Sequence, residues 1–242
     1  MELLDFYPSP NELIQSEITV LNYLRSNRYI KESQSQFAQH AGFYYERYRK
    51  RHSRGFEFSS HFDVRHARMP GSHGNGKPNL RLTIAALIEL TKNSSYSNIT
   101  YCLSVCRFRP NRFPILRKFH FDVTVASDTS QRRSQQHPQC HLQYCGEMIP
   151  HMARMGCRQA QLDQMHPWLS EPRIFFWPMS LALLVDMALH EFPDPRSGNF
   201  RTSSGWRDLV HGQEALVLQP FYKKCVEVIG RRRTLADEFD IG

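Results

Sequence analysis

NITYCLSVCRF, residues 98–108, decides the fold class. Ile99, Tyr101, Leu103 and Val105 alternate with Thr100, Cys102, Ser104 and Cys106, which is the period of a strand with one apolar face. Downstream, LRKFHFDVTV (116–125) repeats the pattern with Phe119, Phe121, Val123 and Val125 on the core side, and HLQYCGEM (141–148) reads as a third strand. Strands that follow one another through loops of moderate length favour an antiparallel meander. Upstream, FEFSSHFDVRH (56–66) alternates as well, and LRLTIAALIEL (80–90) is an apolar run that reads mostly as strand among strands. Between them MPGSHGNGKPN (69–79) has the composition of a flexible loop. The tetrapeptide HFDV occurs at 61–64 and again at 120–123, and four residues do not make a duplication.

Helical spacing surrounds this sheet. In PNELIQSEITVLNYLRSN (10–27), Leu13, Ile14, Ile18, Leu21 and Leu24 recur on one side of a helix opened by Pro10 and Asn11. A second helix is predicted from Gln34 to about His52, with Arg47, Arg51 and Arg54 on one face and Tyr44 and Tyr48 one turn apart. After the strands, PMSLALLVDMALHEF (178–192) is predicted helical, with Pro178 near its start and Pro193 past its end. The loop PDPRSGNFRTSSG then leads to a helix from about Trp206 to Leu218, and Pro220 starts another that Gly230 closes. The expected architecture is one α+β domain over 1–242 with a central antiparallel sheet of three to five strands. Residues 1–55 form a helical N-terminal part, 56–148 the sheet and 172–230 a helical C-terminal part.

Composition narrows the setting. With 40% hydrophobic and 12% aromatic residues the chain is expected to fold, and its 242 residues suffice for one good core. No apolar run reaches the ~20 residues of a membrane-spanning helix. The N-terminus MELLDFYPSPNEL has neither the basic segment nor the cleavage site of a signal peptide, so a cytoplasmic protein is expected. The six cysteines at 102, 106, 140, 145, 157 and 225 form no CxxC pair and read as reduced thiols.

Lys and Arg outnumber Asp and Glu by 31 to 23, a net charge of +8, and the excess is clustered. YYERYRKRHSR (44–54) carries Arg47, Arg49, Lys50, Arg51 and Arg54 against one acid. RFRPNRFPILRK (107–118) carries Arg107, Arg109, Arg112, Arg117 and Lys118 with no acid, and Arg132, Arg133 and Arg231 to Arg233 add further cations. Guanidinium groups interleaved with aromatic rings suit a phosphate backbone with occasional base stacking. An acidic protein partner would use the same charges.

The densest chemistry lies in FHFDVTVASDTSQRRSQQHPQCHLQYCGE (119–147). Strand alternation puts His120 and Asp122 on one face, opposite Phe119 and Phe121, and puts His141, Gln143 and Cys145 together on another strand. If the apolar sets of both strands meet the core, His120, Asp122, His141 and Gln143 converge on one open sheet surface, with His137 on a loop beside it. Histidines with a carboxylate can hold a divalent metal and activate water, for which His120, Asp122 and His141 are the candidates. A histidine pair can also cleave RNA by general acid and base catalysis without metal. The bland alternative is the polar side of an ordinary half-buried sheet. Glu147 is a second-tier candidate at the far end of its strand, and Asp186 with His190 forms an i,i+4 pair on the 178–192 helix that a helix C-terminus favours in any case.

The order Phe119-His120-Phe121-Asp122, then His137-Pro138 and His141-Leu142-Gln143, then a proline-led apolar helix ending at Phe192, resembles a domain-of-unknown-function family of bacterial proteins. The likeness covers roughly 119–192. Members of that family are of the kind found near phage-defence and mobile-element genes, so the resemblance implies antiviral defence or nucleic-acid metabolism and names no reaction. The expected function is a basic nucleic-acid-binding accessory or sensor subunit that works with other protein subunits. The alternatives are a nuclease with its site at His120, Asp122, His137 and His141, and a structural subunit that docks an acidic partner.

Overall fold

A computed structural model describes residues 6–29, 55–64, 79–91, 93–107, 115–124, 140–144, 173–193 and 195–230. Six strands pair in chain order: β1 (Gly55–Val64), β2 (Leu80–Leu90), β3 (Tyr96–Arg107), β4 (Ile115–Thr124), β5 (Cys140–Tyr144) and β6 (Arg173–Phe175). Every pairing is antiparallel, so the sheet is the meander that the alternation in 98–108 and 116–125 predicts. The apolar run 80–90 is strand throughout. The sheet extends past the expected limit of 148, because Arg173–Phe175, just ahead of the helix, adds a short sixth strand.

One face is apolar and, among the described side chains, mostly buried. Phe56, Phe58 and Phe62 from β1, Leu82, Ile84 and Ile88 from β2, and Ile99, Tyr101 and Leu103 from β3 share it with Phe121 and Val123 of β4, all buried. Two helices pack there: α1 (Pro10–Ser26) and α2 (Leu181–Glu191). The first is started by a capping box, in which Ser9 and Glu12 exchange hydrogen bonds. Its buried stripe is Leu13, Glu17, Val20, Leu21 and Leu24, whereas Ile14 and Ile18 are only partly covered. The expected stripe was therefore rotated, and it placed an isoleucine where the fold buries an acid. Ser180 caps α2 by accepting from the Leu183 amide at 3.4 Å, which leaves Pro178 ahead of the helix.

Glu17 joins three elements. Its carboxylate accepts from the Tyr101 hydroxyl of β3 at 2.5 Å and from the Leu181 amide at the start of α2 at 3.1 and 3.2 Å. Burial raises its pKa to about 7, against the lowering effect of those hydrogen bonds. Burial likewise raises the neighbouring Tyr101 hydroxyl, and the Glu17 charge adds to it.

The C-terminal part departs from expectation at two points. PRSGNFRT, within the expected loop, is a helix, α3 (Pro195–Thr202). Its Phe200 ring stacks on Tyr29 at 4.3 Å and on Trp206 at 4.7 Å, and Ser197 is buried, so packing overrides a weak helical composition. From Ser204 to Gly230 the backbone then runs without a break through α4 (Ser204–Gln213), a π-helical turn (Glu214–Leu218) and α5 (Gln219–Gly230). Pro220 does not start a separate helix. The wide turn ahead of it, where the Gln219 amide reaches Glu214, absorbs a residue that lacks an N–H of its own. Among the described residues no helix is long and apolar enough to cross a membrane. The expected helix at 34–52 lies outside them.

Candidate functional site

The second face of the sheet carries the polar side chains. Register places Asp122 opposite Thr100 on one side and opposite His141 on the other, and places His120 opposite Cys102 and Gln143. Directly opposed residues share a face with Cβ atoms ~4.5–5.5 Å apart. Two rows of the ladder therefore hold the chemistry: Thr100, Asp122 and His141 in one, Cys102, His120 and Gln143 in the next. His120 and Asp122 are both half-buried. Thr100 donates its hydroxyl to Asp122 Oδ1 at 2.6 Å and receives the Asn98 side-chain amide at 3.4 Å. That chain holds the carboxylate in place.

The face is less open than a polar sheet surface was expected to be. At its β1 and β2 end His61 and Arg81 are 8% exposed, and Thr83 and Glu89 are 7%. Arg81 holds Asp63, the residue directly opposite, through Nε at 2.7 Å and Nη2 at 3.1 Å. Thr100, Cys102, Ser104, His120 and Asp122 are half-exposed on this face, as are Asp63, Leu87 and Asn98.

The two HFDV segments occupy β1 and β4 and face alike. Phe62, Val64, Phe121 and Val123 are buried on the apolar side, and His61, Asp63, His120 and Asp122 take the polar side. In each copy the aspartate is bound by the residue opposite it on the neighbouring inner strand, Arg81 in one case and Thr100 in the other.

Several expected residues lie outside the described part: His137, Cys145 and Glu147, and the basic residues Arg47, Arg49, Lys50, Arg51, Arg54, Arg109, Arg112, Arg132 and Arg133. Arg107 ends β3, and Arg117 and Lys118 occupy the first half of β4. Among the described residues no three His, Cys, Asp or Glu side chains form a metal-holding group.

Asp186 and His190 do not act as an isolated pair, because Arg201 joins them. It grips Asp186 through Nε at 2.9 Å and Nη2 at 2.8 Å, and its Nη1 lies 3.1 Å from His190 Nδ1. Trp206 Nε1 donates to Asp186 Oδ1 at 3.0 Å. Partial burial works to raise the Asp186 pKa, but the hydrogen bonds from Arg201 and Trp206 outweigh it and hold the carboxyl below its ordinary value. This group ties α2 to α3 and α4.

Sequence reading missed Glu17 and the Thr100 anchor. Glu17 had a visible signal, an acid spaced four residues from Leu13 and from Leu21 on an otherwise apolar stripe. Thr100 had none, because the β3 to β4 register depends on where the hairpin closes. No protein-family model, curated protein or solved structure matches this chain.

Proposed function

We propose that this chain binds nucleic acid through its basic segments, as an accessory or sensor subunit of a bacterial defence or mobile-element complex. The observation that carries the reading is charge laid on topology. Successive strands reverse direction, so β1, β3 and β5 all end at the edge of the sheet from which β2, β4 and β6 start. In sequence, the stretch 107–118 that spans the end of β3 and the start of β4 carries five cations and no acid, and 65–79 between β1 and β2 carries Arg65, Arg68 and Lys77 and no acid. In sequence, the basic segment 44–54 precedes Gly55, the start of β1 at the opposite edge. A ten-residue strand separates the two edges by ~33 Å. A protein charged this way suits an extended polyanion better than a compact anionic ligand.

The test is the salt dependence of affinity for a generic duplex and for a single strand. Affinity should fall steeply with salt, and Arg109→Ala or Arg112→Ala should each lower the log–log slope by about one. No binding, or an affinity indifferent to salt, refutes the proposal. Stoichiometric co-purification with an acidic protein in its place supports a docking role.

A second reading, a nuclease, is favoured by the opposition of Asp122 to His141 and of His120 to Gln143. In this reading one imidazole takes the proton of the attacking hydroxyl and the other protonates the leaving oxygen. Asp122, fixed by Thr100, orients the pair. Should the site hold a divalent metal, His120, Asp122 and His141 would be its ligands and the metal would supply an activated water. Cleavage assays on His120→Ala and His141→Ala, with metal analysis of the purified protein, decide it. Unchanged cleavage in both variants with no bound metal removes the reading.

A further inference from the structure

The short strap between β6 and α2 carries a tryptophan that the core does not take. Trp177 is 42% exposed, whereas Trp206 is fully buried among the C-terminal helices. Folding normally covers most of an indole, so exposure on this scale needs a reason. The ring is also held. Phe176 stacks on it with centroids 3.8 Å and planes 31° apart, and Phe176 in turn packs on Phe121 of β4 at 5.1 Å. The backbone is anchored on both sides. The Phe176 amide donates to the Cys140 carbonyl at 3.3 Å, and Pro178, Met179 and Ser180 are buried up to the start of α2. An aromatic ring backed by a core ring on a strap fixed at both ends loses little freedom when a ligand lands on it.

Charge selects the ligand. From Arg173 to Val185 the sequence contains no acid. Trp177 follows the end of β6, at the edge of the sheet from which β1, β3 and β5 start. In sequence, the stretch 44–54, with five cations and one acid, leads into β1 at that edge, and Arg132 and Arg133 lie between β4 and β5. A fixed indole in a basic protein matches a ligand that brings phosphates and flat apolar faces together. A strand with unpaired bases is such a ligand, whereas an acidic peptide uses the charge and leaves the ring without a role.

We propose that Trp177 is a stacking platform for an unpaired base of single-stranded nucleic acid. The inference rests on the nucleic-acid reading above and adds to it the form of the strand and one residue that senses it. In a duplex each base lies between its neighbours and its faces are closed to the indole. A single strand lays one base on Trp177 while its phosphates meet the cations. Stacking neutralises no phosphate, so it adds affinity without adding to the salt dependence.

The test compares four labelled probes at low salt by fluorescence anisotropy: an oligothymidylate of about twelve nucleotides, an abasic strand of the same length, a duplex and polyglutamate. Trp177→Ala should weaken oligothymidylate binding by about 5- to 100-fold and leave the other three within about twofold of wild type. The log–log salt slope should not change. Trp177→Phe, which keeps a ring, should lose less than Trp177→Ala. Both variants should keep the wild-type far-ultraviolet circular dichroism, and unchanged affinity for the abasic strand is a second control for folding. A wild-type chain that binds neither oligothymidylate nor duplex overturns the nucleic-acid reading and the platform with it. Wild-type binding that Trp177→Ala leaves intact overturns the platform alone. So does an equal loss toward the abasic strand or polyglutamate, because neither offers a base to stack.

Discussion

Replacing Glu17 by Gln should remove a pH dependence of stability that the wild-type chain carries in its core. The carboxyl is fully buried and its pKa stands at about 7, against an ordinary 4.5. The folded state therefore keeps this proton to higher pH than the unfolded state does. The stabilisation is complete below the unfolded value and is lost as pH rises through the folded one, so the group weakens the fold between about pH 4.5 and about pH 7. At about 1.4 kcal/mol per pH unit the full loss is about 3 kcal/mol.

Glutamine has the same shape and does not titrate. Its carbonyl can still accept from Leu181, while its amide presents one more N–H than a protonated acid does, so a constant cost of about 1–3 kcal/mol is expected. The quantity to measure is the stability difference between wild type and Glu17→Gln, from urea unfolding followed by tryptophan fluorescence, at pH 4.5, 6, 7 and 8. That difference should move by about 3 kcal/mol in favour of the variant across the series, with unchanged denaturant slopes. All other titrating groups are common to both chains and cancel. A difference that stays constant with pH refutes the reasoning, because Glu17 would then have no linked proton. Glu17→Leu serves as the contrast. It strands the Tyr101 hydroxyl and the Leu181 amide, and should cost about 2–5 kcal/mol at pH 4.5, with the same shift of about 3 kcal/mol in the variant's favour as the pH rises, because leucine does not titrate either.

Gly55→Ala should loosen the start of β1, because at φ 140° an added Cβ would lie 2.0 Å from the Ile88 carbonyl oxygen. A loss of about 1–3 kcal/mol, with faster amide exchange at Gly55–Phe58, is the expected result in denaturant and exchange measurements. Ile84→Ala, in the centre of the apolar face, should cost about 2–5 kcal/mol in urea unfolding. Val226→Ser on α5, where the residue is 70% exposed, should stay within about 0.5 kcal/mol in the same assay. Asp186→Asn should cost about 1–3 kcal/mol at pH 7, since Arg201 and Trp206 both donate to that carboxylate. The wild-type advantage should fade as the pH drops below the ordinary carboxylate range, because the folded-state pKa is lowered.

Strands were legible wherever alternation was strict, as in 98–108 and 116–125, because one buried face imposes period two on the sequence. The run LRLTIAALIEL also carried a further message. Ala85 and Leu87 sit on the otherwise polar face, the mark of a strand covered on both sides. The short β6 and the helix at Pro195–Thr202 could not be read locally. A three-residue strand has no measurable period, and PRSGNFRT is held by aromatic contacts of Phe200 with Tyr23 and Tyr29, far away in the chain. Register was also out of reach. Nothing in FHFD or HLQ states that Asp122 rather than His120 meets His141, since the fifteen residues between β4 and β5 can place either pair in line.

The repeated HFDV supplies an internal control for the candidate site. Both copies put His and Asp on the polar face and tie the Asp to its cross-strand partner, so a purely structural role should make them equivalent. They differ in access: His61 is 8% exposed beside a closed Asp63–Arg81 pair, whereas His120 is half-exposed between Cys102 and Gln143. Chemistry at the surface needs the second environment, and bracing needs only the first. His61→Ala should therefore lower thermal stability and leave any cleavage per folded molecule unchanged, while His120→Ala should reduce that cleavage by far more than its effect on stability. Equal losses in both variants would mean that the histidines of this face hold the sheet together and nothing more.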